Sequence, residues 1–207
     1  MLLSRERTLI ILDWDDTLFP TTWVTSNDIN IKNVTSINSK TIIDFFSKID
    51  IELEHLLKTL LNCGHVAIIT NAMLNWINIS SGILPRTSKL LDSNIKNIDI
   101  ISARGSYQDK SDDPMDWKKL AFAEIIKRNK FRKLNNIISI GDAEYEYKAL
   151  VNLHEKPNAK NYKLLKSVRF VKYPSNHILL DQIRVMQKAA IKVCCTKTHL
   201  DLRFEMH

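Results

Sequence analysis

The stretch that most constrains this chain is Thr8–Phe19, TLIILDWDDTLF, where an apolar run stops on carboxylates. Leu9, Ile10, Ile11 and Leu12 form a short, β-branched run bounded by polar residues, which suits a buried strand better than a helix. Asp13 then stands at the carboxyl end of that strand, with Asp15 and Asp16 just beyond. Open α/β sheets bind their ligands at this edge. Carboxylates massed in one place repel one another unless a proton or a cation relieves them. A hard divalent cation with oxygen ligands is the simplest relief, and Mg²⁺ is the usual one. Carboxylates after a strand also cap helices or face solvent, so the reading depends on what lies downstream.

Downstream, strand and helix signals alternate. The polar stretch 20–40 predicts a loop or small hairpin flap over the end of the first strand, with Trp23 packing it down. Thr41–Asn62 predicts the clearest helix. Ile42, Phe45, Phe46, Ile49, Leu53, Leu56, Leu57 and Leu60 share one face, Thr41 and Asp44 resemble a capping box, and Gly64 closes the end. His55 reads as a surface residue of that helix. Val66–Ile69 predicts a second buried strand ending in Thr70-Asn71, where a hydroxyl and a free amide before a helix make a natural phosphate cradle. Short helices follow at Met73–Ile79 and from Pro85, then a third strand at Ile98–Ser102 and a polar loop over 103–113. Asp113-Pro114 supplies an N-cap and an N1 proline for a helix running to about Arg128. Lys118 and Lys119 lie near its positive end, where lysine is disfavoured. A local anion is one explanation and solvation at the surface is the other. Ile137–Ile140 predicts a fourth strand, followed by Gly141-Asp142 and Glu146, with helix through Leu153. A basic loop over 154–166, a fifth strand at Val168–Lys172 and a closing helix over Ser175–Cys195 complete a single domain, 1–195. The tail 196–207 has no assigned element and reads as disordered or as the start of a further region. This alternation implies parallel βαβ units. Their strand ends would bring Asp13, Asp15, Thr70 and Asp142 to one edge.

Composition narrows the partners. Of the 207 residues, 44% are hydrophobic and 26% charged, and no apolar run reaches a membrane span. The amino terminus lacks the order of charge, apolar core and cleavage site that marks a signal peptide. A cytoplasmic setting is the expectation, with secretion by a route that reads other signals left open. Three cysteines (Cys63, Cys194, Cys195) without a C-x-x-C indicate neither a disulfide framework nor a thiolate zinc site. The net charge of +7 and pI of about 9.3 favour phosphorylated or otherwise anionic partners, or a membrane surface touched by the basic C-terminal region.

Taken in order, these residues resemble the haloacid dehalogenase-like (HAD) phosphatase superfamily. The motifs are D-x-D-x-T at Asp13–Thr17, a strand ending in Thr70, a helix-borne lysine, for which Lys118 is chosen over Lys119, and G-D-x-x-x-[DE] at Gly141–Glu146. Trp14 departs from the pattern, which usually has a smaller apolar residue there, and this bears on the substrate pocket rather than the chemistry. The resemblance implies a Rossmannoid three-layer α/β sandwich with a mostly parallel five-stranded sheet. Little chain is left for a cap, so a capless or minimally capped enzyme is implied. It is similar to the magnesium-dependent phosphatase group, whose L-W-P stretch Leu18–Trp23 resembles.

The resemblance further implies that Asp13 is the nucleophile, forming an aspartyl-phosphate, and that Asp15 is the general acid and base. Mg²⁺ would be held by Asp13, the Asp15 backbone carbonyl and Asp142. Thr70, Asn71 and Lys118 would hold the phosphoryl oxygens, with Glu146 supporting the metal shell or the lysine. Aspartate at position 15 points to a phosphatase rather than a dehalogenase. Capless relatives often act on macromolecules, so a protein phosphatase is the leading expectation, including phosphotyrosine as substrate with Trp14, Trp23, Trp76 and Tyr107 around the opening. Phosphatases of nucleic-acid ends or small metabolites are the alternative, and a phosphate-binding scaffold without catalysis is a third.

Overall fold

A computed structural model describes residues 3–32, 39–92, 98–128, 133–153 and 163–205. Its centre is a six-stranded, all-parallel sheet, ordered β3-β2-β1-β4-β5-β6. The strands are β1 (Thr8–Leu12), β2 (His65–Thr70), β3 (Ile98–Ser102), β4 (Asn136–Gly141), β5 (Leu164–Arg169) and β6 (Leu200–Arg203). The helices are α1 (Thr21–Ser26), α2 (Lys40–Cys63), α3 (Leu74–Ser81), α4 (Pro85–Leu91), α5 (Ala103–Tyr107), α6 (Pro114–Ile125), α7 (Glu144–Asn152) and α8 (Asn176–Cys195). The architecture is a Rossmannoid α/β sandwich.

Alternation along the strands builds two cores. Ile10, Leu12, Ile68, Ile138 and Ile140 point to one face and are covered by α2 and α8 through Phe46, Leu53, Leu57, Ile183 and Met186. Leu9, Ile11, Ala67, Ile69 and Ile137 point to the other and meet Phe122 of α6 and Ala149 of α7. All five residues of β1 are buried, which explains its unbroken apolar run. Each such side chain contributes about 1.5–3 kcal/mol by leaving water. Gly64 ends α2 in extended geometry, with φ −170°. A Cβ there would lie 2.8 Å from the Thr8 carbonyl oxygen, so only glycine lets the chain pass β1 this closely.

Several details correct the sequence reading. The sheet has six strands, not five, because residues of the tail form β6 at the edge beside β5. Its short, alternating, half-polar run carries too little apolar signal to be read in isolation. Thr21–Ser26 is helical rather than a loop or hairpin; Asp16 starts it by accepting the Thr22 N–H at 2.8 Å. Trp23 packs this helix down, as expected, with its ring 4.9 Å from that of Phe45. Residues 33–38 of the flap lie outside the described residues.

The polar loop after β3 contains α5, started by Ser102 Oγ accepting the Gly105 N–H. The helix from Asp113-Pro114 begins as expected, with Met115 N–H on Asp113 Oδ1, but ends at Ile125. Thr41 and Asp44 do not start α2, which begins at Lys40 with Ser39 at its N-cap. The fifth strand lies at Leu164–Arg169, four residues earlier than read. Val171 leaves the ladder because its N–H goes to Gln182 Oε1 at 2.6 Å, and Tyr173 turns with φ 53°. Lys166 hid this strand, since a lysine in mid-strand reads as loop. It is fully buried and donates to the carbonyls of Val193 and Cys194, closing the end of α8. Residues 154–162 of the supposed basic loop lie outside the described residues.

Asp50 of α2 is buried and accepts the N–H groups of Arg86 and Thr87 at 2.9 and 2.8 Å, so a side chain from one helix caps the start of α4. Asp50→Ala strands both donors and is expected to cost about 1–3 kcal/mol, read as a lower denaturant midpoint at unchanged slope. An unchanged midpoint would show that water replaces the carboxylate.

No separate cap domain interrupts the sandwich among the described residues, and no helix among them is long and apolar enough to cross a membrane.

Candidate functional site

In the order β3-β2-β1-β4-β5-β6 the connections reverse direction between β1 and β4. The connections leaving β1 and β4 go to opposite faces of the sheet, opening a crevice at the carboxyl ends where ligands bind in doubly wound folds. Asp13 leaves β1 at this point, its N–H held by the Ile140 carbonyl at 2.9 Å. Asp142 leaves β4 beside it.

Lys118 enters the crevice from α6. Its side chain is 1% exposed, and its Nζ donates to Asp13 Oδ1 at 2.6 Å and to the Ile69 carbonyl at 2.7 Å, while Glu146 Oε1 lies 2.6 Å away. Two hydrogen bonds, to Asp13 Oδ1 and the Ile69 carbonyl, and one ion-pair contact, to Glu146, thus surround the ammonium. Burial works against this charge, but Asp13 and Glu146 outweigh it and hold the ammonium above its ordinary pKa. Of the two candidate lysines, the structure places Lys118 here. Lys119 is partly exposed and pairs with Asp116 on the surface. The anion that explains a lysine near the start of α6 is thus the Asp13–Glu146 pair.

Glu146 is committed on both oxygens, because Oε2 accepts the Ala143 N–H at 3.1 Å. It folds back tightly over the β4–α7 turn. A Cβ on Gly141 would lie 2.4 Å from Glu146 Cγ, which gives this glycine its role.

Asp13, Asp142 and Glu146 each offer an oxygen within 4.8 Å of the others, and this buried cluster could hold a metal ion. With Glu146 engaged by Lys118 and a main-chain N–H, Asp13 and Asp142 are the carboxylates with ligating capacity to spare. Burial, then the charges of Asp13, Glu146 and Asp16, push the Asp142 carboxyl up to about 8. Such crowding of hard oxygen donors is what a divalent cation relieves. Thr17 leans on the same group, its hydroxyl 3.4 Å from Asp142 Oδ1.

Asp15 is held by α1 and α3. Its Oδ1 accepts from Trp76 Nε1 at 2.7 Å and from the Thr21 hydroxyl. Desolvation raises its pKa; the Thr21 hydroxyl opposes this, Asp13 adds to it, and Trp76 opposes it again. Both donors sit on one oxygen, leaving Oδ2 as the oxygen that can carry a proton. Asp16 is buried in a left-handed turn with φ 52° and serves α1 rather than the crevice.

Thr70 ends β2 at the same edge, its Oγ1 accepting the Ala72 N–H at 3.0 Å while its own O–H stays able to donate. The Asn71 side chain donates to the Pro114 carbonyl at 3.1 Å, tying this turn to the start of α6.

The fold therefore brings together Asp13, Asp15, Thr70, Asn71, Lys118, Asp142 and Glu146. It adds Thr21, which the sequence reading did not place at the site, and gives Trp76, expected only around the opening, a direct bond to Asp15. Trp76 is 61 residues from Asp15, and nothing local marks an indole as a carboxylate's partner. Trp14 points away from the crevice: it is fully buried, donates to Ser80 Oγ at 2.9 Å and stacks on Phe19. Comparisons with protein-family models, with curated proteins and with solved structures find no match for this chain.

Proposed function

We propose that this chain is a Mg²⁺-dependent phosphomonoesterase of the HAD type, working through an aspartyl-phosphate on Asp13. The observation that carries the reading is the buried Lys118 bridging Asp13 and Glu146 beside Asp142 at the sheet's switch point. A surface-facing acidic cluster has no need of a fully buried cation aimed at one carboxylate oxygen.

Lys118 occupies Oδ1 of Asp13, which fixes the carboxylate and leaves Oδ2 to attack phosphorus. As the new P–O bond forms, the ester P–O bond breaks, and Asp15 gives its proton to the departing oxygen. Desolvation favours the protonated form needed for that step. The Asp15 carboxylate then takes a proton from water as that water attacks the phosphorus, releasing phosphate and restoring Asp13. The Thr70 hydroxyl, the Asn71 main-chain N–H and the Lys118 ammonium are the donors for the phosphoryl oxygens, where positioning and electrostatics dominate catalysis. Asp13, the Asp15 carbonyl and Asp142 are the groups that would hold Mg²⁺. When bound, the ion supplies positive charge that screens nucleophile and phosphate from each other.

The reading is tested by phosphate release from 4-nitrophenyl phosphate with Mg²⁺ and with EDTA. Mg²⁺-dependent release is the expected result. No release from this compound or from a panel of alkyl phosphates and phosphopeptides in Mg²⁺ would overturn it in favour of a phosphate-binding scaffold.

The cation also makes a stability prediction. Asp142 has an ordinary value of 3.8 in the unfolded chain and holds its proton to about 8 in the fold. Below pH 4 both states are protonated and the group is neutral to stability. Between about 4 and 8 the unfolded chain has lost a proton that the fold retains. The metal-free protein therefore loses stability as pH rises, at most about 1.4 kcal/mol per pH unit. Tm in EDTA is expected to fall from pH 5 to pH 8, Mg²⁺ to raise it more at pH 8, and Asp142→Asn to flatten both responses. A Tm independent of pH and Mg²⁺ would remove Asp142 from the cation site.

The aromatic opening suggested for phosphotyrosine loses its support. Trp14 and Trp23 are spent on packing, Trp76 on Asp15, and Tyr107 is buried against Glu124.

A further inference from the structure

Beside Asp142 the crevice continues into a cleft of about 500 Å³ between the start of α7 and the ends of β5 and β6. Its apolar floor is the Phe170–Phe204 pair, with ring centroids 5.0 Å apart. Arg169 lies beneath, 8% exposed and fully engaged: Asp201 takes its Nε and Nη2, Glu144 takes Nη1, and its guanidinium stacks 4.2 Å from the Tyr147 ring. This pin locks β6 and α7 to β5 and engages Glu144; the other acidic residue of the wall, Asp142, belongs to the cluster that could hold a metal ion.

Two cations at the rim are not used in this way. Lys172 and Arg203 are exposed and form no ion pair with a carboxylate among the described residues; Lys172 Nζ sits 4.6 Å over the ring of Tyr173. Tyr145, on the opposite lip, and Tyr173 are exposed aromatics, the latter at 64%. Cations interleaved with exposed rings are how proteins hold single-stranded nucleic acid, the cations taking phosphates and the rings taking bases.

Register fixes the distance. Gly141, Arg169 and Arg203 are aligned across β4, β5 and β6, and Asp13 follows the β1 residue paired with Ile140. Arg203 thus stands three strand spacings from Asp13, about 14 Å along the sheet edge. A small phosphate ester at Asp13 cannot span this gap, but a chain of linked phosphates can.

We propose that this cleft is a second subsite that takes a further phosphate of a phosphodiester-linked strand, so that the group presented to Asp13 is the terminal phosphate of a single-stranded nucleic acid. The inference rests on the phosphomonoesterase reading for what happens at Asp13, and on the cleft alone for binding.

The test uses the Asp13→Asn protein, which is expected to hold substrate without turnover, and fluorescence anisotropy with short single-stranded oligonucleotides carrying a 5′- or a 3′-phosphate. At least one is expected to bind ten-fold or more tightly than the same strand without a terminal phosphate and than the matching mononucleotide. Lys172→Gln/Arg203→Gln is expected to abolish the advantage over the mononucleotide and to reduce the salt slope by about 1.4, as two lost phosphate contacts require. The same pair of changes in the otherwise wild-type protein should leave turnover of 4-nitrophenyl phosphate unaltered. Equal binding of strand and mononucleotide, no response to the double change, or tighter binding of an acidic phosphopeptide would overturn the proposal. Strand binding that depends on Lys172 and Arg203, in a protein that hydrolyses no phosphomonoester, would instead uphold the cleft and remove the hydrolase.

Discussion

Asp13→Asn is expected to lower Mg²⁺-dependent phosphate release by at least about 10³-fold, on the scale of removing a covalent nucleophile, with the fold intact. The amide cannot attack phosphorus. Lys118 keeps Glu146 and the Ile69 carbonyl as acceptors, so its charge is not stranded. Asp142 and Asp15 meanwhile lose a repelling neighbour, since Asp13 helps raise both. The loss of one ion pair and the relief of like charges oppose each other, and Tm should move by only a few degrees. Retained turnover would exclude Asp13 as the nucleophile. Loss of turnover together with collapse of the fold would leave the role undecided between chemistry and structure, so the thermal melt is measured on the same sample.

Lys118→Met is expected to behave differently, losing activity and stability together. Removing one partner of a buried ion pair costs about 3–5 kcal/mol because the remaining charge is uncompensated. Here two carboxylates, Asp13 and Glu146, lose their shared cation while Asp142 and Asp16 add to the crowding. For a chain of this size that corresponds to a fall in Tm of roughly 6–20 °C. The loss should be smaller at pH 5 than at pH 8, because carboxylates left without a cation take up protons instead. Lys119→Met is the control: among the described residues Lys119 pairs only with Asp116 at the surface, and its removal should leave both Tm and turnover where they were. A reversal between the two lysines would overturn the assignment of Lys118 and the site built on it.

Much of this site was legible because its residues sit next to strong local signals. Asp13 follows an apolar run that suits a buried strand better than a helix, Asp142 follows another through a glycine, and Asp113-Pro114 marks the start of the helix that bears Lys118. Strands alternating with helices then require parallel pairing, and parallel strands present their carboxyl ends together. Asp13, Thr70 and Asp142 therefore meet by topology alone.

What the chain could not display locally was decided by contacts between distant segments. The choice of Lys118 over its neighbour depends on which side of α6 faces the sheet. The indole that holds Asp15, the carboxylate of α2 that caps α4, and Gln182 ending β5 each join residues that no local window contains. Lys166 and the tail failed to read as strand for a related reason. A lysine is tolerated in mid-strand only because the last carbonyls of α8 receive it, and β6 forms only because β5 offers an open edge and Arg169 a pin. Local sequence determined the first four strands, their order of chemistry and the carboxylates at their ends, because periodicity and turn residues act over a few positions. Tertiary packing decided which cation neutralises those carboxylates, what aims Asp15, and the cleft beside Asp142, because each depends on the energy of burying a polar group whose partner arrives from elsewhere in the chain.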